Sequence, residues 1–488
     1  MTSTTIAVRE VTRTGKTKFA AIRAGAVLLG ALLMTWPAFF NGFPLLYPDS
    51  MTYLGDGSVV ARAIFLHQTA SYYGMRSFFY SLGTLPLHWN VTAWPVVALQ
   101  AILMAYVLWL VVRSIVPRRT ATCYLILIAV LSVTTSLSWF VSLVMPDILG
   151  PALYLTFYLL VFAPETLSRA ERLTIDGIAC WAVTSHATHM MLGVGLWAVL
   201  TLVMVAQRST RRRVFRAVGE MAILLAIAAT AQLTLHAYLY GTPSLNGERP
   251  TYLTARLVAD GTGLRYLEQH CGTEKWTLCD RVQNLAGDAD HFLWDPDGGW
   301  GGASADEQKQ MRREEMAFVL ATIRAYPREQ FARSAGAFWQ QLKTFGIEDL
   351  DPSSWVAEQF DEVLPGAKSN YLSSRQARNA LHIEGFTAFH IWVVRSSPVL
   401  MLAFVPVVWW RTSPRLLGLG VVIVSVVIAN AFVTGTMSMV DERYGSRVIW
   451  LVPFWVGLFL MDRVSARGSN ATQVQGPAEK NFSTSVMS

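Results

Sequence analysis

Four groups of polar residues at the edges of apolar runs have the right types to do chemistry. They are Asp49 in Tyr47-Pro48-Asp49-Ser50, Asp147 in Met145-Pro146-Asp147, the pair His186 and His189, and Asp441-Glu442-Arg443-Tyr444 with Arg447. A carboxylate can take a proton from an attacking hydroxyl, or hold a metal against a diphosphate. Arginine offers a planar fork that grips phosphate through paired charged hydrogen bonds. A histidine is a ready proton carrier near neutral pH. The catalytic candidates are therefore Asp49, Asp147, His186 and His189. The binding candidates are Arg443 and Arg447, with Glu442 and Tyr444 beside them. Each group also has a bland reading. Asp49-Ser50 can be a helix cap, Asp147 a turn acid beside Pro146, and the histidines structural. Arg443 and Arg447 can form a salt network with Asp441 and Glu442.

These residues are carried by a very apolar chain. It has 488 residues, of which 53% are hydrophobic and only 15% charged; its mean hydropathy is +0.36. A soluble protein carries about 25% charge. The apolar residues gather in runs near the roughly 20 residues needed to cross a bilayer. A soluble enzyme, a disordered chain and a secreted disulfide scaffold are excluded. The 17 Trp, 16 Tyr and 24 Phe can furnish interfacial belts. The net charge of +7 sits in short loops. There is no zinc-finger spacing, aromatic-basic interleaving or phosphate-loop motif, so nucleic acid is excluded as a partner.

The expected fold is an all-α polytopic membrane protein with about ten spans. They are Ala24–Phe40, Val91–Val112, Thr120–Phe140, Leu149–Ala163, Leu173–Ser185, Met190–Ala206, Gly219–Tyr238, Ile391–Trp410, Leu416–Val433 and Val448–Met461. The first run is too long for a signal-peptide core and reads as a retained helix. Threading from a cytoplasmic N-terminus puts every strongly basic short loop on one side. These loops hold Arg113, Arg118 and Arg119; Arg169 and Arg172; Arg208, Arg211, Arg212, Arg213 and Arg216; and Arg411 and Arg415, with Arg463 and Arg467 in the tail. The expectation is an integral plasma (bacterial inner) membrane protein with both termini cytoplasmic.

The candidate chemistry then falls on the opposite face. Residues 1–240 form an N-terminal membrane region of about seven helices, with a first outer loop at 41–90. Within that loop Val59–Leu82 reads as one or two surface helices. Residues 241–385 form an extracytoplasmic, mostly helical cap, with helices over Asp306–Ala325, Glu329–Phe345 and Ser373–His382. Residues 386–464 supply about three more spans, and 465–488 a disordered tail. Cys123 and Cys180 fall in apolar runs; Cys271 and Cys279 lie in the cap and are expected to pair. The acidic stretch Gly287–Gly302 lacks the calcium-loop spacing and reads as solvated. His186 and His189 lack a third ligand for zinc.

The outer constellation resembles the polytopic GT-C glycosyltransferases, which use polyprenyl-phosphate-linked sugars. In those enzymes an acid follows the first span in a long loop with surface helices, as Tyr47-Pro48-Asp49-Ser50 and Tyr53 do here. A second acid lies in the next outer loop, where Asp147 stands. An acidic-Arg-Tyr segment precedes a late apolar run, matched by Glu442-Arg443-Tyr444 before Val448–Met461. The first-loop acid pair is imperfect: Asp49 is followed by Ser50, and the next acid is Asp56. A divalent metal ion is therefore left open and its ligands unassigned. The cap also precedes the last three spans instead of following them. The resemblance implies transfer of a sugar from a lipid-phosphate-linked donor to an extracytoplasmic glycan, lipid or protein acceptor, at a site reached by membrane lipids. The alternatives are a polytopic transporter, a lipid flippase or another lipid-linked group transferase.

Overall fold

The computed structural model describes residues 2–68, 76–245, 247–285, 288–410 and 413–473. Part of the expected surface-helix stretch (69–75), Gly287, Arg411 and the tail after Gln473 lie outside the described residues. Among the described residues all regular structure is helical, apart from one isolated parallel bridge between Leu45 and Leu143.

Among the described residues six helices are long and apolar enough to cross a membrane: Trp94–Ile115, Ala187–Ala206, Arg211–Tyr240, Ile383–Trp410, Pro414–Met437 and Glu442–Ser465. Two shorter apolar helices, Thr120–Thr134 and Pro146–Phe162, accompany them. At the centre is Leu149–Phe162. It is apolar all round and buried at every position from Leu149 to Val161, as a helix without a polar face must be. Trp94–Ile115, Arg169–Ser185, Ala187–Ala206 and Pro414–Met437 surround it, and the first helix, Thr2–Met34, packs on Trp94–Ile115 and Thr120–Thr134.

The expected span Thr120–Phe140 is two pieces, Thr120–Thr134 and Leu137–Ser142. Side chains at the break make the bonds that divide it. The Thr135 hydroxyl accepts from the Leu137 N–H at 3.3 Å, and the Ser136 hydroxyl donates to the Ser446 carbonyl at 2.7 Å. The last helix runs to Gln473, past the expected start of disorder at Ser465, because an anchored helix propagates at low cost per residue.

The region between the spans has two kinds of core. Residues from Ala255 to Val319 form their own apolar cluster around Leu267, Phe292, Trp300 and Phe318. Residues from Ile347 to Ile383, including Phe360 and Tyr371, join the main core instead. The two longest cap helices among the described residues are Ala305–Ala325 and Pro327–Gln341. The first is opened by Ser304 and Glu307, whose side chains cap each other's backbone N–H groups. Cys271 and Cys279 are joined by a disulfide. No helix forms over Ser373–His382. There the Ser374 hydroxyl and the Gln376 side chain bond to backbone groups, and Asn379 and His382 take left-handed conformations that end a helix.

Candidate functional site

The first and second acidic segments are built alike. Trp36–Asn41 ends at Gly42, whose φ of +83° turns the chain back. The chain then runs extended, and Leu45 pairs with the segment around Leu143: its N–H donates to Ser142 and its carbonyl accepts from Val144, both at 3.0 Å. Four residues beyond each bridge partner stands an acid that follows a proline, Pro48-Asp49 and Pro146-Asp147. Each Pro sits in a first helical position, where its missing N–H costs nothing. The Ser50 hydroxyl caps the first of these helices by accepting from the Tyr47 N–H at 2.9 Å. Asp49 is thereby free of the capping role and turns its carboxylate elsewhere.

Two buried glutamines fix this pair of segments. Gln376 takes the place of a strand partner for Leu46, accepting from its N–H at 3.1 Å and donating to its carbonyl at 2.6 Å. Gln100 donates to the carbonyls of Val141 and Leu143 at 3.1 and 2.8 Å. A buried extended segment must place its backbone groups on some partner, and these side chains supply it.

The late segment arrives through a third glutamine. Gln341, at the end of Pro327–Gln341, donates to the Asp441 carbonyl and accepts from the Asp441 N–H, both at 2.8 Å. Asp441 then caps Glu442–Ile449 by accepting from the Arg443 N–H at 2.7 Å. Gly445 allows close approach here: a Cβ at that position would lie 2.1 Å from the Thr344 carbonyl oxygen.

The result is a cluster drawn from distant parts of the chain. Asp49 pairs with Arg76, and its other oxygen lies 3.7 Å from Arg443. The Arg443 guanidinium sits 4.1 Å from the Tyr47 ring centre and 5.2 Å from that of Tyr444. Arg447 meets Asp147 at 3.3 Å, both side chains 1% exposed. Its remaining donors reach Asn430 Oδ1 at 3.1 and 2.8 Å. Tyr444 lies beneath both arginines, 5.1 Å from Arg447. Tyr53 is buried within electrostatic reach of Arg76, Asp49, Asp147 and Arg443, and burial pushes its phenol well above the ordinary range, so it stays a neutral hydroxyl. Burial disfavours the Arg76 charge, but Asp49, Tyr252 and Tyr53 outweigh that effect and hold the guanidinium protonated.

The cluster contains three guanidinium groups and two carboxylates. Arg443 Nε and Nη1 are buried and, among the described residues, have no hydrogen-bond acceptor; Asp147 Oδ2 likewise has no donor. An apolar cleft with room for about one water reaches Arg443, lined by Tyr47, Trp139, Phe140, Leu143 and Leu350.

The other candidates are placed less centrally. His186 is a helix cap: its Nδ1 accepts from the Thr188 N–H at 3.2 Å. His189 is fully buried, with Nδ1 2.9 Å from the Ala182 carbonyl and Nε2 against Gly150. Both histidines lie within electrostatic reach of Asp147. Glu442 points away from the arginines toward Gly346, where a Cβ would collide with its carboxylate. The alternative salt network of Arg443 and Arg447 with Asp441 and Glu442 does not form: the side chains of the arginines meet Asp49 and Asp147 instead.

The cap adds partners that sequence reasoning missed. Tyr252 accepts from Arg76 at 3.1 Å, Trp294 lies under Arg76 at 5.5 Å, and Asp290 is within electrostatic reach of Arg443 and Asp441. A signal was present for some missed groups, since Gln100 and Asn430 are uncharged polar residues inside apolar runs. None marked Arg76 or Tyr252. A separate group, His291, Asp295 and Asp297, brings ligand atoms within 4.8 Å of one another on the cap surface. Exposed acids gather this way without an ion, so the group assigns no metal. No protein-family model, curated protein or solved structure matches this chain.

Proposed function

We propose that the protein is a membrane glycosyltransferase that moves a sugar from a polyprenyl-phosphate carrier to an acceptor on the extracytoplasmic face. The observation that carries this reading is the meeting of Asp49 with Arg443, whose buried Nε and Nη1 have no hydrogen-bond acceptor among the described residues, beside Arg76. Buried donors without acceptors cost about 1–3 kcal/mol each. A phosphate oxygen would satisfy them.

In this reading the phosphate draws Arg443 toward itself and leaves Asp49 held by Arg76. The acceptor hydroxyl gives its proton to Asp49 as its oxygen bonds to the sugar's anomeric carbon. The bond from that carbon to the phosphate oxygen breaks, and the polyprenyl phosphate leaves with the electron pair, its charge stabilised by Arg443. Asp147 is held by Arg447 and supports the arrangement. A dication at Asp49 or Asp147 would be opposed by the three guanidinium groups, so the reading is metal-independent.

Asp49→Asn keeps the shape and removes the charge. It should lower turnover by about 100-fold to 10,000-fold with lipid-phosphate binding largely kept. Arg443→Lys loses the fork and should weaken polyprenyl-phosphate binding. Folded Asp49→Asn with wild-type sugar release would end the catalytic assignment. Failure of the wild-type protein to bind polyprenyl phosphate would end the reading altogether. The topology is ten spans with both termini cytoplasmic, supported by the one-sided basic loops. Impermeant thiol reagents in cells should label Asp288→Cys and spare Ser209→Cys; labelling at position 209 would refute it.

A further inference from the structure

The helix Pro327–Gln341 has two faces with different occupants. Gln330, Ala337 and Gln341 are buried, and this side packs on Pro414–Met437. The approach is close: a Cβ at Gly435 would lie 2.8 Å from the Ala337 carbonyl oxygen. At 100° per residue, Phe331, Ala332, Ala335 and Trp339 fall together on another face. All four are exposed, Phe331 at 77% and Trp339 at 58%. Such a stripe does not belong in water, and the described residues leave it uncovered.

The neighbouring span shows what covers it. On Pro414–Met437 the residues Val424, Ile428 and Phe432 form an exposed apolar row at four-residue spacing, as a lipid-facing side requires. The Phe432 ring lies 6.4 Å from that of Phe338, next to Trp339. The lipid-facing row of the span thus runs on into the stripe of the cap helix. Basic groups border the stripe: Arg328 in the first turn, Arg333 on the more polar side, and Lys343 beyond the end, with its Nζ 5.4 Å from the Trp339 ring centre. Apolar and aromatic groups on one face with bordering cations are the pattern of a helix lying in the plane of a bilayer interface.

We propose that Pro327–Gln341 is a membrane-surface helix, with Phe331, Ala332, Ala335 and Trp339 immersed in the leaflet on the cap side. Because Gln341 holds both backbone groups of Asp441, the immersed helix also fixes the entry to the segment that carries Arg443. The bilayer itself is then part of what positions this segment.

Nitroxide labels test the immersion without reference to any activity. They are placed at Ala335→Cys, Trp339→Cys and, as a cap control in water, Glu268→Cys, in the full chain in phospholipid nanodiscs, with Cys123 and Cys180 replaced by serine and the disulfide kept. Position 335 is exposed and small, so its label is tolerated even where Trp339→Cys fails to fold. Collision with oxygen, which concentrates in hydrocarbon, should exceed collision with a water-soluble nickel chelate at 335 and 339. The ratio should reverse at 268. Water-like behaviour at 335 would overturn the proposal. Shielding of 335 from both agents would overturn it in favour of a covering protein surface.

Discussion

The pair Arg447–Asp147 allows a stability prediction that stands apart from any function. At 3.3 Å and an effective dielectric constant of about 20, the attraction is about 5 kcal/mol. Removing both ions from water costs a comparable amount, so the intact pair contributes little net stability. Removing one partner is different, because the other charge stays buried without its nearest counter-ion. Asp147→Asn should cost about 3–5 kcal/mol. Arg447→Met should fall at the upper end of that range, since Asn430 Oδ1 loses both of its Arg447 donors. The double variant removes both members of the pair and should cost less than either single change, about 1–2 kcal/mol from the unsatisfied Asn430. Unfolding in bicelles, followed by steric trapping at neutral pH, reads all three. Single variants within about 1 kcal/mol of wild type, or a double variant equal to the sum of the singles, would refute the buried-pair reasoning.

Replacing both Cys271 and Cys279 with serine should destabilise the cap by about 2–3 kcal/mol, the entropy of closing so short a loop. Local unfolding of residues 255–319, read by hydrogen exchange in the intact protein, checks this, and unchanged exchange would count against it. The hydroxyl and backbone N–H of Ser304, helped by Arg281, hold the Glu307 carboxyl down to about 2. A depressed carboxylate stabilises the fold above its ordinary value of 4.5 and loses that contribution as pH falls toward about 2. Amide protection at the start of Ala305–Ala325 should therefore decline through that window and not above it, and Glu307→Gln should flatten the decline.

Much of the helical scaffold was legible in the sequence because its cause is local. Long apolar runs require backbone groups to bond within their own segment, and the structure has helices at Trp94–Ile115, Ala187–Ala206 and Pro414–Met437 close to where the runs lie. The cap helix Ala305–Ala325 announced itself through Ser304 and Glu307. The disulfide followed from two cysteines eight apart in the polar segment. Even the paired acids had a trace in the chain. Leu45-Leu46-Tyr47-Pro48-Asp49 and Leu143-Val144-Met145-Pro146-Asp147 share their first residue and their last two, and each is one extended segment entering a proline-started helix.

Partnership was decided only in three dimensions. Sequence proximity left open a pairing of Arg443 and Arg447 with Asp441 and Glu442, yet Asp441 is occupied capping the backbone and Glu442 faces Gly346. The arginines lie on the other side of that short helix, where Asp49 and Asp147 are brought up by a bridge between residues about a hundred positions apart. Arg76, Tyr252 and Trp294 joined them with no local signal, because a charge pair or a ring stack depends on distance in space and leaves no periodicity in the chain. The same holds for the stripe on Pro327–Gln341. Its apolar spacing was in the sequence, but which face was buried, and which lay beside the exposed apolar row of Val424, Ile428 and Phe432, was set by how that helix packs on Gly435.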